Sequence, residues 1–80
     1  MDLTELKEGQ RIKVIQQFTD FDGDAIEVDS LWTFRSYSYF PYDGGYTFNF
    51  IEGTIRLAEL SDANRDVLNG FSNYFVLWSA

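Results

Sequence analysis

Neither cysteine nor histidine occurs anywhere in this chain. Their absence excludes disulfides, thiolate nucleophiles and thiolate zinc sites. It also removes the commonest metal ligand and the one unperturbed side chain that titrates near neutrality. A serine such as Ser36 or Ser38 therefore has no histidine base to activate it. Carboxylate pairs remain, and a small carboxylate-based hydrolase is the remote alternative. A chain of 80 residues leaves little room for a water-excluding cleft, however. The expectation is a protein without catalytic residues and without a cofactor.

Basic residues are scarce. Six lysines and arginines face thirteen aspartates and glutamates, for a net charge of −7. Such a surface repels a phosphate backbone, so nucleic acid is a poor partner. A strip of Arg11, Lys13, Arg35 and Arg56 on outward strand faces is the only local exception in the pattern. An anionic membrane surface is disfavoured for the same reason, and no apolar run approaches the roughly 20 residues of a membrane helix. The first five residues, Met1-Asp2-Leu3-Thr4-Glu5, are acidic and unlike an export signal. With no disulfide staple either, the expected compartment is the cytoplasm.

Aromatic residues are abundant. Eight Phe, five Tyr and two Trp make up 19% of the chain. Each ring can bury about 150–250 Å², which is a dense core for one small domain. Residues 3–8 predict a helical turn, with Asp2 and Glu5 at capping-box spacing and Gly9 ending it. Alternation then predicts strands over about 11–18, 25–29, 31–40, 45–51 and 54–60. In the third of these, Trp32 and Phe34 share one face; Thr33, Arg35, Tyr37 and Tyr39 share the other. Ten residues exceed the usual strand length, so a bend or bulge is expected there. Thr19–Asp24, Pro41–Gly45 and Glu52-Gly53 are the turns.

After Leu60 the period changes from two to about 3.6. Val67, Leu68, Phe71, Tyr74 and Phe75 form one stripe of a helix over about 62–75, with Ser61 as its N-cap. Three fates are open to the apolar tail from Val76 to Ala80: more helix, a strap against the sheet, or a contact in a dimer. Regularly spaced strands followed by one helix predict a mainly β fold. The specific expectation is a small SH3-like antiparallel barrel of about five strands, its open end covered by the C-terminal helix.

Two groups of residues could carry function. Tyr37, Tyr39, Tyr42 and Tyr46, with Trp32 or Arg35 at the edge, would make an aromatic platform if they face outward, a composition favoured at interfaces. The competing reading packs these rings under the helix. The second group is Asp20, Asp22, Asp24, Glu27 and Asp29, five carboxylates within ten residues. Asp20-x-Asp22-x-Asp24 copies the first three ligand positions of an EF-hand loop, but Ala25 and Leu31 occupy its obligatory Gly and Glu positions. The plainer reading is a solvated turn in which Asp side chains cap backbone N–H groups and Gly23 supplies a positive φ.

In order along the chain stand Phe18-Thr19-Asp20-Phe21-Asp22-Gly23, Trp32-Thr33-Phe34, Phe40-Pro41-Tyr42-Asp43-x-Gly45 and Ile55-Arg56-Leu57. This arrangement resembles the domain-of-unknown-function family 3601, a group of short, mainly bacterial proteins. The resemblance spans roughly residues 6–60 and, more loosely, the helix to Tyr74. It implies a bacterial, cytosolic, stand-alone domain, and it carries over no activity and no catalytic residue. The chain departs from the pattern at Asp29-Ser30, where a turn glycine is more usual.

The functional expectation is a non-enzymatic protein-interaction module, monomeric or weakly dimeric, that uses the tyrosine face. The alternative is a protein whose acidic loop binds a divalent cation or a basic partner, such as a nucleic-acid-binding protein.

Overall fold

A computed structural model describes residues 1–42 and 44–78. Asp43, within the expected Pro41–Gly45 turn, lies outside the described residues. The main sheet is antiparallel and has five strands in the order β6-β5-β4-β1-β7. These are β1 Arg11–Val14, β4 Leu31–Phe40, β5 Gly45–Phe50, β6 Gly53–Ala58 and β7 Phe75–Trp78. A separate hairpin pairs β2 Phe18–Thr19 with β3 Ala25–Ile26. Leu3–Glu5 is a 3-10 turn, and two helices, α1 Asp62–Asn69 and α2 Phe71–Tyr74, precede β7.

One face of the sheet carries the core. Ile12, Val14, Phe34, Phe48, Phe50, Ile55 and Leu57 are buried on it. Leu3 and Leu6 from the N-terminal turn, Phe18 and Ile26 from the hairpin, and Val67, Phe71 and Phe75 from the C-terminal segment cover them. The rings meet mostly edge to face, as their quadrupoles prefer: Phe34 on Phe50 at 5.7 Å, Trp32 on Phe50 at 5.5 Å. The mainly β expectation is met.

The barrel is not. β6 and β7 are the two ends of the sheet, and they do not pair. The expected first strand stops at Val14: the amide of Ile15 makes one further in-register bond to the Tyr74 carbonyl (2.7 Å), but Tyr74 belongs to α2, so β7 offers no strand beyond it. Phe18–Thr19 then joins a hairpin instead of extending the sheet towards β6. That hairpin and α1 fill the space a closing strand would need.

The expected helix over 62–75 is also shorter. Ser61 caps α1 as predicted, its Oγ accepting the Asn64 amide. The helix ends at Gly70, whose φ of −122° and ψ of 51° are not helical. A Cβ there would stand 2.9 Å from the Asp66 carbonyl oxygen, so only glycine fits the break. Phe75-Val76-Leu77-Trp78 then pairs with β1, Val14 opposite Phe75 and Arg11 opposite Trp78. Three bulky β-formers in four residues favour a strand once an open edge is beside them.

The second expected strand is cut to Ala25–Ile26 because Glu27–Ser30 is a turn. The Ser30 amide and hydroxyl both donate to the Glu27 carbonyl, at 3.3 and 2.6 Å. Asp29 sits at φ 72°, the left-handed region that disfavours a side chain. Asp29→Gly should therefore stabilise the fold by about 0.5–1 kcal/mol, the exposed Lys13–Asp29 pair (3.5 Å) contributing little against it. Thermal unfolding followed by circular dichroism should then show a midpoint several degrees higher.

The β5–β6 turn is Ile51-Glu52, one residue earlier than expected, with Phe50 opposite Gly53. The Glu52 carboxylate accepts from the Thr33 amide (2.6 Å) and the Thr33 hydroxyl (3.0 Å). Partial desolvation pushes its pKa up, but these bonds, its own amide and the Arg11 charge outweigh that and hold it below the ordinary value. A depressed carboxylate stabilises fully above its unfolded pKa, near 4.5, and loses that contribution as pH falls through the folded value. Glu52→Gln should accordingly remove part of the stability decline below about pH 4.5 and leave its slope at neutral pH unchanged; urea titrations across pH would measure it.

Candidate functional site

β4 is the strand that shapes the site. It pairs with β1 only over Leu31–Thr33, and with β5 from Phe34 to Phe40. A bulge falls between Phe34 and Ser36. The extra residue, Arg35, shifts the alternation by one. Phe34 stands opposite Phe50, and beyond the bulge Tyr37 stands opposite Phe48 and Tyr39 opposite Tyr46. Tyr37 and Tyr39 thus share the face of Phe34, not the opposite face that strict alternation predicts. The bulge was expected; the change of face it causes was not.

The consequence is an aromatic ladder running out of the core. Tyr46 stacks on buried Phe48 at 5.6 Å with 14° between the rings. Tyr39 leans on Tyr46 at 4.8 Å, and Tyr37 touches Phe48 at 6.0 Å and Tyr46 at 6.2 Å. Tyr46 is half-buried, whereas Tyr37 and Tyr39 are 43% and 42% exposed. Of the four tyrosines, three therefore come together. Tyr42 is fully exposed in the turn and joins none of these ring pairs. Arg35 is exposed at the bulge itself. Trp32 is turned into the core, on Phe50, with its indole N–H on the Ser30 hydroxyl at 2.9 Å.

Beside Tyr46 the ladder opens into a groove of about 460 Å³. Asp2, Leu3, Glu59, Leu60 and Leu68 line it together with Tyr46. Desolvation raises the pKa of both Tyr39 and Tyr46, and the negative charge of Glu59 raises them further. Tyr37 and Asp2 add to the effect at Tyr46. Both phenols stay protonated through the neutral range. Glu59 and Asp2 were not singled out in the sequence. Little in the sequence marks Glu59, which falls inside the expected strand over 54–60; in the fold it follows β6, its amide tied to the Gly44 carbonyl (2.8 Å) next to the start of β5.

The acidic loop is built differently. Asp20, Asp22 and Asp24 have carboxylate oxygens within 4.8 Å of one another, and Glu27 and Asp29 are not in the group. Asp20 is buried and its oxygens are committed: Oδ1 accepts the Asp24 amide (2.9 Å) and Oδ2 the Arg56 amide (3.4 Å). Asp22 pairs with Arg56 at 2.9 Å, and that guanidinium lies over the Phe21 ring. Gly23 has the positive φ the turn requires. These contacts also divide the basic strip. Arg56 is held by Asp22, and Lys13 by Asp29 and by the Trp78 ring at 4.9 Å.

The loop closes the outer edge of β6. The Phe21 amide donates to the Arg56 carbonyl (2.7 Å), and Asn64 of α1 accepts the Ala58 amide (3.0 Å) while donating to the Thr19 carbonyl (3.1 Å). Two other stretches of edge have no strand beside them among the described residues: β7 on the side away from β1, and Ser36–Phe40, the part of β4 that runs past β1, on the side away from β5.

No helix among the described residues is long and apolar enough to cross a membrane. No family model matches the chain, and no curated protein matches it. Among solved structures it is similar to an integron cassette protein from the mobile metagenome of Vibrio cholerae, with a TM-score of 0.83 and 25% identity over 91% of this chain and 88% of that one.

Proposed function

We propose that this chain is a non-enzymatic interaction module that docks an extended protein segment along the open end of β4, on the face of Tyr37, Tyr39 and Tyr46. The asymmetry of the sheet edges carries the reading. Free strand edges are hazards that proteins normally cover. Here the β6 edge is sealed by Asp20, Phe21 and Asn64; of the two stretches left open, β7 is only four residues long, while Ser36–Phe40 bears three exposed aromatic rings, Tyr37, Tyr39 and Phe40, with Tyr46 beside them. Strand addition uses such an edge for main-chain bonds and alternate side chains for specificity. The order of motifs from Phe18 to Leu57 supports membership of family 3601, and the source of the structural neighbour is in keeping with a bacterial protein.

Capture of partners from the native host tests the reading, with the wild type, Tyr39→Ala and Asp22→Asn as baits. Loss of a partner in Tyr39→Ala and its retention in Asp22→Asn is the expected result. Equal behaviour of the two variants would count against the tyrosine face.

The convergence of Asp20, Asp22 and Asp24 favours a second reading, divalent-cation binding in the acidic loop. It is the weaker of the two, because backbone amides and Arg56 already hold two of the three carboxylates. Amide resonances of Gly23 and Asp24 are expected to stay in place at millimolar calcium; saturable shifts there would revive it.

A further inference from the structure

We infer that the docked segment is basic, and that one of its lysine or arginine side chains enters the groove beside Tyr46, held by the faces of Tyr39 and Tyr46 and by the carboxylates of Asp2 and Glu59. The inference rests on the tyrosine face being the docking surface. Its own support is the chemistry of the groove. The groove has the volume of a small-ligand site, about 460 Å³. Its charged lining is Asp2, Glu59 and Arg65. Arg65 is already paired with Asp62, so two carboxylates remain without that compensation. The Tyr46 ring lines the groove, and the Tyr39 ring, 4.8 Å from it and inclined at 51°, stands next to it, so that electron-rich phenols lie near the carboxylates. The phenols remain neutral at physiological pH, which leaves the ring faces attractive to a cation and the hydroxyls able to donate to Glu59.

The rest of the molecule favours the same sign. The net charge is −7. Three of the six basic side chains, Lys13, Arg56 and Arg65, are engaged by carboxylates. The field around the chain therefore steers a cationic segment inward and repels an acidic one. An extended peptide places every second side chain on one face. A segment laid along Ser36–Phe40 could then present alternate side chains to the tyrosines, with a basic one reaching Glu59.

Three labelled decapeptides of alternating sequence test this, one with valine and lysine, one with valine and glutamine, one with valine and glutamate. Fluorescence anisotropy would be read at about 50 and about 300 mM salt. The lysine peptide should bind about tenfold more tightly than the glutamine peptide, with the difference shrinking at high salt. The glutamate peptide should bind least. Glu59→Gln should remove most of the lysine preference and leave the glutamine peptide unchanged, whereas Tyr39→Ala should weaken both. Equal binding of lysine and glutamine peptides would overturn the charge inference and leave the tyrosine face standing. A lysine preference that survives both substitutions would place the binding elsewhere, on the acidic loop, and overturn both. Absence of binding by all three peptides would overturn both as well. Circular dichroism of each variant confirms that it is folded; both side chains lie at the surface, so neither change removes core.

Discussion

Replacing Phe75 with alanine should remove a large share of the folding free energy and move the urea midpoint sharply down. The ring is 1% exposed and sits where three parts of the fold meet. It contacts Phe18 of the hairpin edge-on at 5.5 Å and Phe71 of α2 at 5.3 Å, and its backbone lies opposite Val14 in the sheet. Truncating a buried phenylalanine costs about 3–5 kcal/mol. A domain of this length has only about 4–12 kcal/mol in total. The loss is also structural in kind, because the ring pins both the hairpin and the last strand. Val76→Ala, one residue on, is the control. Val76 stands opposite Lys13 on the outer face and is 38% exposed, so its truncation should cost less than about 1 kcal/mol. Urea titrations of the two variants would separate these values. Near-equal midpoints would show that the tail does not pack as a strand with Phe75 inward.

Phe75 also marks where the sequence is ambiguous. Val67, Phe71 and Phe75 lie on a helical stripe, yet Phe75-Val76-Leu77-Trp78 is equally good strand material. The arbiter is tertiary: β1 offers an unpaired edge, and Gly70 breaks the helix before the stripe is complete. Neither is visible in a local pattern. Strands 31–40, 45–51 and 54–60 were legible because they pair in sequence through short turns, so that alternation alone sets their partners. The bulge at Arg35 was legible as excess strand length but not as a position. Which residue is left out of register depends on Phe34 and Tyr37 both reaching the core side, and that is decided by what lies beneath the sheet. For the candidate site the consequence was specific. The tyrosines were recognisable as a group, and their exposure was not. Half-burial of Tyr46 and exposure of Tyr37 and Tyr39 follow from β4 running beyond β1, a difference in strand lengths that local composition does not encode. The groove residues Asp2 and Glu59, 57 positions apart in the chain, are brought to one site only by the fold.

A comparably large loss is expected for Asp20→Ala, and it would settle what the acidic loop is for. Two backbone amides, of Asp24 and Arg56, rely on the Asp20 carboxylate at a residue only 4% exposed. Alanine strands both donors. Each buried donor left without a partner costs about 1–3 kcal/mol; these two bonds are part-buried and the one to Arg56 is long at 3.4 Å, which places the variant about 2–4 kcal/mol below the wild type, under the full sum. Relief of repulsion from Asp22 and Asp24 offsets a small part of this, since both are exposed and well solvated. Asp20→Asn keeps an acceptor oxygen and should fall between. Asp22→Ala loses only a surface ion pair with Arg56 and should cost under about 1 kcal/mol. The order Asp22→Ala, Asp20→Asn, Asp20→Ala in increasing loss is what an edge-sealing loop requires. A cation-binding loop would instead show stabilisation by added calcium in the wild type that Asp22→Ala abolishes as fully as Asp20→Ala, because each carboxylate would be a ligand. The seal has a second consequence. With Asp20 gone, the outer edge of β6 is left with the Phe21 and Asn64 contacts alone, and a free strand edge is a template for another chain. Sedimentation of Asp20→Ala should show association that rises with concentration, at temperatures where Asp22→Ala stays monodisperse relative to the wild type.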